Sequence, residues 1–235
     1  MSGLSRSAAL RLKLSFAAPG LNTAMAELWR PEGLTERYGR YLATMHEVIR
    51  ASVPLMELAA RRCHRRGSAD PVARPLAEYL ERHILEERGH DDWLLADLAA
   101  AGLDPGTPLR RQPPPVVARL VGPQYYWIEH YHPVALLGYI TVLESNAPAP
   151  WLAERLAADT GLPGAAFQTV SHHAGLDTEH SAELAEFLDR LPLDEAQESA
   201  VAVSALHTAQ AATDLFARLA RHPAHPTPPE RTPEP

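Results

Sequence analysis

The chain has 235 residues, 46% of them hydrophobic and 22% charged, which suits one sizeable domain with a filled core. Its formal net charge of −7 argues against nucleic acid as the main partner, since phosphate binding needs a basic face. A single cysteine, Cys63, excludes an intramolecular disulfide and any cysteine-based zinc site.

Residues 1–33 carry a Leu-Arg-Leu-Lys-Leu alternation at 10–14, then Pro19-Gly20 and Pro31, and are expected to form an irregular N-terminal arm. No apolar core precedes a small-residue cleavage site, and no stretch approaches the roughly 18–20 apolar residues that cross a bilayer. The expectation is a cytoplasmic protein with no membrane partner. From Leu34 to Arg66 the apolar residues fall on a 3-4 spacing, which predicts a long helix that Pro54 splits near Ser52. Cys63 lies in the basic run Arg61–Arg66, where cations favour the thiolate, although the plainer reading is a basic helix end facing the macrodipole.

A second helix is expected from Pro71 or Pro75 to Ala101, closed by Gly102, followed by a proline-rich loop over 102–115. Shorter helices are expected over 115–130 and 148–160. Between them, Pro133 opens an apolar run that ends at Glu144 and predicts a central, buried helix. A long helix over 165–190 and a last one over 193–221 complete an all-α domain of about seven or eight helices, spanning 34–221. Residues 222–235 read as a disordered, proline-rich tail. The last helix, rich in Ala and Val over 196–216, is suited to a homodimer.

Three helices carry the residues that point to chemistry. His173, Asp177 and His180 stand at i, i+4 and i+7, so they share one helix face to within roughly 60°. Two imidazoles and a carboxylate on one stripe suit a borderline divalent metal. The second helix holds His83, Glu86, Glu87 and His90, with Glu87-x-x-His90 as an i, i+3 pair; Arg82 and Arg88 leave open a salt-bridged surface instead. Glu144 ends its apolar run, where a buried carboxylate demands a metal or a cation unless the helix end emerges into solvent. Carboxylates from some helices and carboxylate-x-x-His pairs from others, all pointing inward, are how helical bundles build dimetal sites.

With these motifs the chain resembles the heme-oxygenase-like diiron oxidases and oxygenases, over roughly residues 40–215. The matching stretches are His83–His90, His132–Tyr139 with Glu144, and His173 through His180. The resemblance implies a heme-oxygenase-like helical bundle holding two Fe(II) per chain, with O2 as co-substrate and a small molecule as substrate. It points to amino acids, fatty acids or peptide-derived metabolites as the substrate class, and implies Glu87, His90, Glu144, His173, Asp177 and His180 as ligands. Glu86 is the second choice of partner for His90, and His83 flanks the same face. Some relatives add a carboxylate from a preceding helix, where Glu57 or Glu47 would serve. The last ligand helix is mobile in such proteins until iron binds, and Gly175 would weaken it here. Tyr125, Trp127 and Tyr139, with Tyr126, are candidates for a substrate pocket or for plain core. The alternatives are a metal-free or heme-handling protein of the same fold, and a non-catalytic helical interaction module.

Overall fold

Helix is what an Ala-, Leu-, Glu- and Arg-rich chain favours, and no strand occurs among the described residues. The computed structural model describes residues 4–221 and, of 177–179, the backbone alone. The proline-rich stretch 222–235, expected to be disordered, lies outside the described residues.

The N-terminal stretch is not an irregular arm. It forms α1 (Arg6–Ser15) and α2 (Ala18–Leu28). Pro19, read as a break, occupies the first turn of α2, where its missing N–H has no helical partner to lose. The alternating apolar pattern of α1 is overridden by tertiary contacts: the Asp189 carboxylate accepts the Ser7 backbone N–H at 2.8 Å and its hydroxyl at 2.9 Å. Fully buried Arg37 ties α2 to the next helix, donating to the carbonyls of Leu28 at 2.6 Å and Glu32 at 2.7 Å, and to that of Arg30.

The long pattern over 34–66 is split, as Pro54 predicts, into α3 (Leu34–Ile49) and α4 (Ser52–Arg66). Cys63 is buried on α4, and burial pushes its thiol up to about 12, so the basic neighbours do not activate it. The second expected helix is also broken. It forms α5 (Ala73–Glu87) and α6 (His90–Ala100), separated at Gly89, whose φ of +91° ordinary side chains rarely adopt. The helix count stays close to the seven or eight expected, with the helical N-terminus and the break at Gly89 adding segments.

The remaining elements are a short α7 (Thr107–Arg110), α8 (Pro115–His130), α9 (Leu136–Glu144), α10 (Leu152–Thr160), α11 (Gln168–Arg190) and α12 (Glu195–Ala220). The apolar run produces the expected central helix: α9 is buried from Leu136 to Val142. It meets α12 backbone to backbone, because a Cβ on Gly138 would lie 2.2 Å from the Val201 carbonyl oxygen. α12 starts at a capping box made by Asp194 and Gln197. Among the described residues no helix is long and apolar enough to cross a membrane.

Candidate metal centre

Glu144, the last residue of α9, is only 7% exposed, as the apolar run before it predicts. Its two oxygens face different imidazoles. Oε1 lies 3.2 Å from His83 Nε2 on α5, and Oε2 lies 3.3 Å from His180 Nδ1 on α11. Glu87 approaches the same group, with Oε1 3.9 Å from His180 Nδ1. His83, Glu87, Glu144 and His180 each offer one ligand atom, and these atoms lie within 4.8 Å of one another.

Glu87 also divides its oxygens. Oε2 is 3.4 Å from His90 Nδ1, at the start of α6. The two residues are not neighbours on one continuous helix, as the i, i+3 spacing implied; the left-handed turn at Gly89 re-aims His90. The His90 ring stands edge-on to the His173 ring at 5.2 Å and stacks on Trp93 at 4.1 Å. His173 Nδ1–H donates to the Thr169 carbonyl at 2.8 Å, which leaves Nε2 as the free lone pair. The centre therefore has two halves, His83 with His180 and His90 with His173, and Glu87 reaches into both.

Glu86 stands behind the first half rather than in it. It is half-exposed, and its Oε2 lies 3.1 Å from His83 Nδ1 and 3.6 Å from His180 Nε2. One carboxylate thus contacts the outer nitrogen of both rings, while their inner nitrogens face Glu144. Carboxylates in this position orient metal-binding imidazoles and fix the tautomer.

Burial acts against charge throughout the group, and pairing overcomes it at three residues. For Glu144, burial pushes the carboxyl up, but the His180 and His83 imidazoles beside it bring it below the usual range. The Glu144 carboxylate holds His180 up to about 9 against the effect of burial. His83 is raised too, with burial opposed by Glu144. Burial lowers His173, keeping it the neutral imidazole that a metal requires. His90 Nδ1, His180 Nδ1 and Glu144 Oε2 are all buried without a partner in hydrogen-bond geometry. Inward-facing imidazole and carboxylate atoms left unsatisfied in this way fit a divalent cation of mixed nitrogen and oxygen preference.

The other sequence candidates stand elsewhere. Asp177 belongs to α11, but its side chain lies outside the described residues. Glu47 is fully buried in a bidentate pair with Arg111, at 2.6 and 3.0 Å, on a different contact from the candidate centre. Glu57 is half-exposed between Arg61 and Arg88, each 3.8 Å away. Tyr139 is buried and lines a cavity beside the centre, but Tyr125 and Trp127 do not. The face of α8 carrying them turns outward: Tyr125 is 37% and Tyr126 65% exposed, and Trp127 packs edge-on to His207.

Two supports escaped sequence reasoning. α11 has no side-chain cap of its own, and the fully buried Asp97 of α6 supplies one, accepting the Gln168 and Thr169 N–H groups at 3.2 and 3.0 Å. A lone aspartate among Leu94, Leu95 and Leu98 was the signal available. The second is the cavity, of about 160 Å³, walled largely by apolar residues of α2, α3, α4, α9 and α12.

A family model described as iron-containing redox enzyme matches residues 68–213. No curated protein matches the sequence. Among solved structures, the chain is similar to a domain of unknown function with a heme oxygenase-like fold from Shewanella denitrificans. The TM-score is 0.69 at 17% identity, over 91% of this chain and 88% of that one. It is also similar to a TenA homolog from Pseudomonas syringae pv. tomato, with a TM-score of 0.66 at 10% identity, over 89% of this chain and 91% of that one. The fold is therefore the heme oxygenase-like helical bundle.

Proposed function

This chain belongs to the iron-containing redox enzyme family, and from that premise we propose that it is an O2-dependent non-heme diiron oxidase or oxygenase acting on a small metabolite. The observation that carries the reading is the position of Glu87, whose two oxygens face His180 at 3.9 Å and His90 at 3.4 Å. A carboxylate aimed at two imidazole sets at once is what a dinuclear centre needs between its ions. A heme-handling site would need one proximal histidine and an open slot, and would gain nothing from Glu144 between two more imidazoles.

In this reading His83, His180 and Glu144 would hold one ion. His90 and His173 would hold the other, with Glu87 between them, and Asp177 is proposed from its place in the His-x3-Asp-x2-His motif. When bound, two ferrous ions would supply the electrons that reduce O2, the oxidant of the reaction. The protein contributes the rest. Glu87, Glu144 and Asp177 offset the charge of the ions, which makes their burial affordable. Thr169 keeps the proton of His173 on Nδ1, and Glu86 receives the outer N–H of His83 and lies 3.6 Å from the outer nitrogen of His180, so the inner nitrogens would be presented as lone pairs. The apolar walls exclude water from the side where substrate would lie.

The test is metal analysis of protein purified without O2, followed by O2 exposure. About two irons per chain and iron-dependent O2 uptake are expected. Protein that binds no iron, or binds it and leaves O2 untouched, would refute the assignment.

A further inference from the structure

Each half of the candidate centre has an aromatic ring stacked on one of its histidines. Tyr79 lies nearly parallel to His83 at 5.7 Å and 17°, and Trp93 to His90 at 4.1 Å and 27°. The surroundings of the two rings differ. Tyr79 is buried and stacks also on Phe187 at 4.3 Å, and burial with the nearby Glu144 charge keeps its phenol protonated. Trp93 is half-buried, stands 5.9 Å from the His173 ring, and meets the exposed His172 edge-on at 4.8 Å. Its indole therefore adjoins both imidazoles of the second half, next to the protein surface. Neither Trp93 nor His90 lines the cavity, whereas His173 does, so the indole borders the centre without taking space from a substrate.

We propose that Trp93 is a self-oxidation site: when no substrate fills the cavity, O2 chemistry at the centre is diverted onto this indole, which is hydroxylated instead. The inference rests on the diiron reading, and the step balances with the co-reactants of that reading alone. One indole C–H bond and the O–O bond break, and a C–OH group and one water form. Two protons come from solvent, and two electrons come from two ferrous ions, which become ferric. Contact and chemistry both select Trp93. A group held against the reacting centre is oxidised ahead of one that an oxidant must reach by diffusion. An electron-rich indole is also oxidised more readily than the imidazoles it touches, and its place beside the exposed His172 lets solvent deliver the protons. The consequence is protection, because the damage falls on a side chain that supplies no metal-binding atom and spares His90 and His173.

The full-length protein would be loaded with Fe(II) without O2, then exposed to O2 with catalase present and no small molecule added. Mass spectrometry of its peptides should find one oxygen atom gained on Trp93. That gain should exceed the gain on Trp151 by roughly tenfold or more, although Trp151 is 57% exposed and would be the first target of an oxidant in solution. Zn(II)-loaded protein, whose metal has no electrons to give, should gain no more oxygen than metal-free protein. Trp93→Phe, which keeps a ring on His90, should retain the parent's iron content and lose most of the oxygen gain of the chain. The comparison of Trp93 with Trp151 in the parent holds whether or not that variant folds. The proposal is overturned if Trp151, or Met25, Met45 and Met56 in the cavity wall, gain oxygen as readily as Trp93. It is overturned equally if Zn(II) supports the same gain, or if folded Trp93→Phe gains as much as the parent. Protein that binds iron and consumes O2 with Trp93 unchanged refutes this inference and leaves the diiron reading standing, whereas protein that binds no iron refutes both.

Discussion

The carboxylate of Asp97, on α6, accepts the backbone N–H of Thr169, in the first turn of α11, at 3.0 Å. With the Gln168 N–H at 3.2 Å it forms a cap donated from another helix, since Phe167 at the N-cap position has no oxygen to offer. Burial pushes the Asp97 carboxyl up in spite of these bonds, so the position is costly and its occupation reflects what it holds. It holds the helix that carries His173 and His180, and it links that helix to the one that starts with His90.

Replacing Asp97 with alanine would leave the buried Thr169 N–H and the partly buried Gln168 N–H without their acceptor. A loss of roughly 3 kcal/mol is expected, a fall of about 10 °C in melting temperature for a chain of this size. Iron affinity should fall with it, because Thr169 is also the residue that orients His173. A thermal melt and an iron titration of Asp97→Ala check both, and Asp97→Asn, which keeps one acceptor, should lose less.

Two glycines should respond in opposite directions to alanine. At Gly138 the added Cβ would stand 2.2 Å from the Val201 oxygen and 2.6 Å from the Ala205 nitrogen, so α9 and α12 must separate. Gly138→Ala is expected to cost about 3 kcal/mol. At Gly175, within α11, no described atom beyond the helix's own backbone would lie within 4 Å of an added Cβ, and Gly175→Ala should stabilise by about 1 kcal/mol. Denaturant unfolding of the two variants would show whether the sign reverses.

The two halves of the centre should separate under mutation. His180→Ala and His90→Ala are each expected to lower iron content to about half, while Glu87→Ala should lose more than either, because Glu87 faces both. Glu86→Ala should keep the stoichiometry and weaken affinity by roughly 10–100-fold, the effect of removing an outer partner. Metal content by elemental analysis, with a competition titration for affinity, distinguishes these patterns.

Acid should act on His132. Burial lowers its pKa, the Asp70 carboxylate lies 2.7 Å from Nε2, and Nδ1 accepts the Val134 N–H at 3.0 Å. A proton on Nδ1 would abolish that last bond. A base with a depressed folded-state pKa stabilises the fold above its unfolded value of 6.5 and loses that contribution as pH falls towards the folded one. Asp70 gives a second, lower step: burial pushes it up, but His132, the Val72 N–H and Arg66 bring it below 3.8 overall, so its contribution persists until more acidic pH. The melting temperature should therefore drop as pH falls below about 6.5. His132→Asn, which retains a capping oxygen, should flatten that decline; an unchanged pH profile would count against the assignment.

The all-helical character, the burial of Glu144 and the break ahead of α4 were legible in the sequence, because periodicity, an uninterrupted apolar run and proline act through a few neighbouring residues. The residue types of the centre were legible for the same reason, as histidines and carboxylates stand out against apolar helix faces. Their arrangement was not. The i, i+3 argument paired Glu87 with His90 on a helix that Gly89 interrupts, and ranked His83 behind residues it stands beside. Glu47 was offered with Glu57 as a possible added carboxylate, and folding delivers Arg111 to it from 64 positions away. Asp97, the cavity wall from α2 and the divided oxygens of Glu87 all depend on contacts between distant helices. Local sequence determines which elements form and which groups they offer; only packing, which satisfies buried polar atoms across the whole chain, decides which of those groups meet.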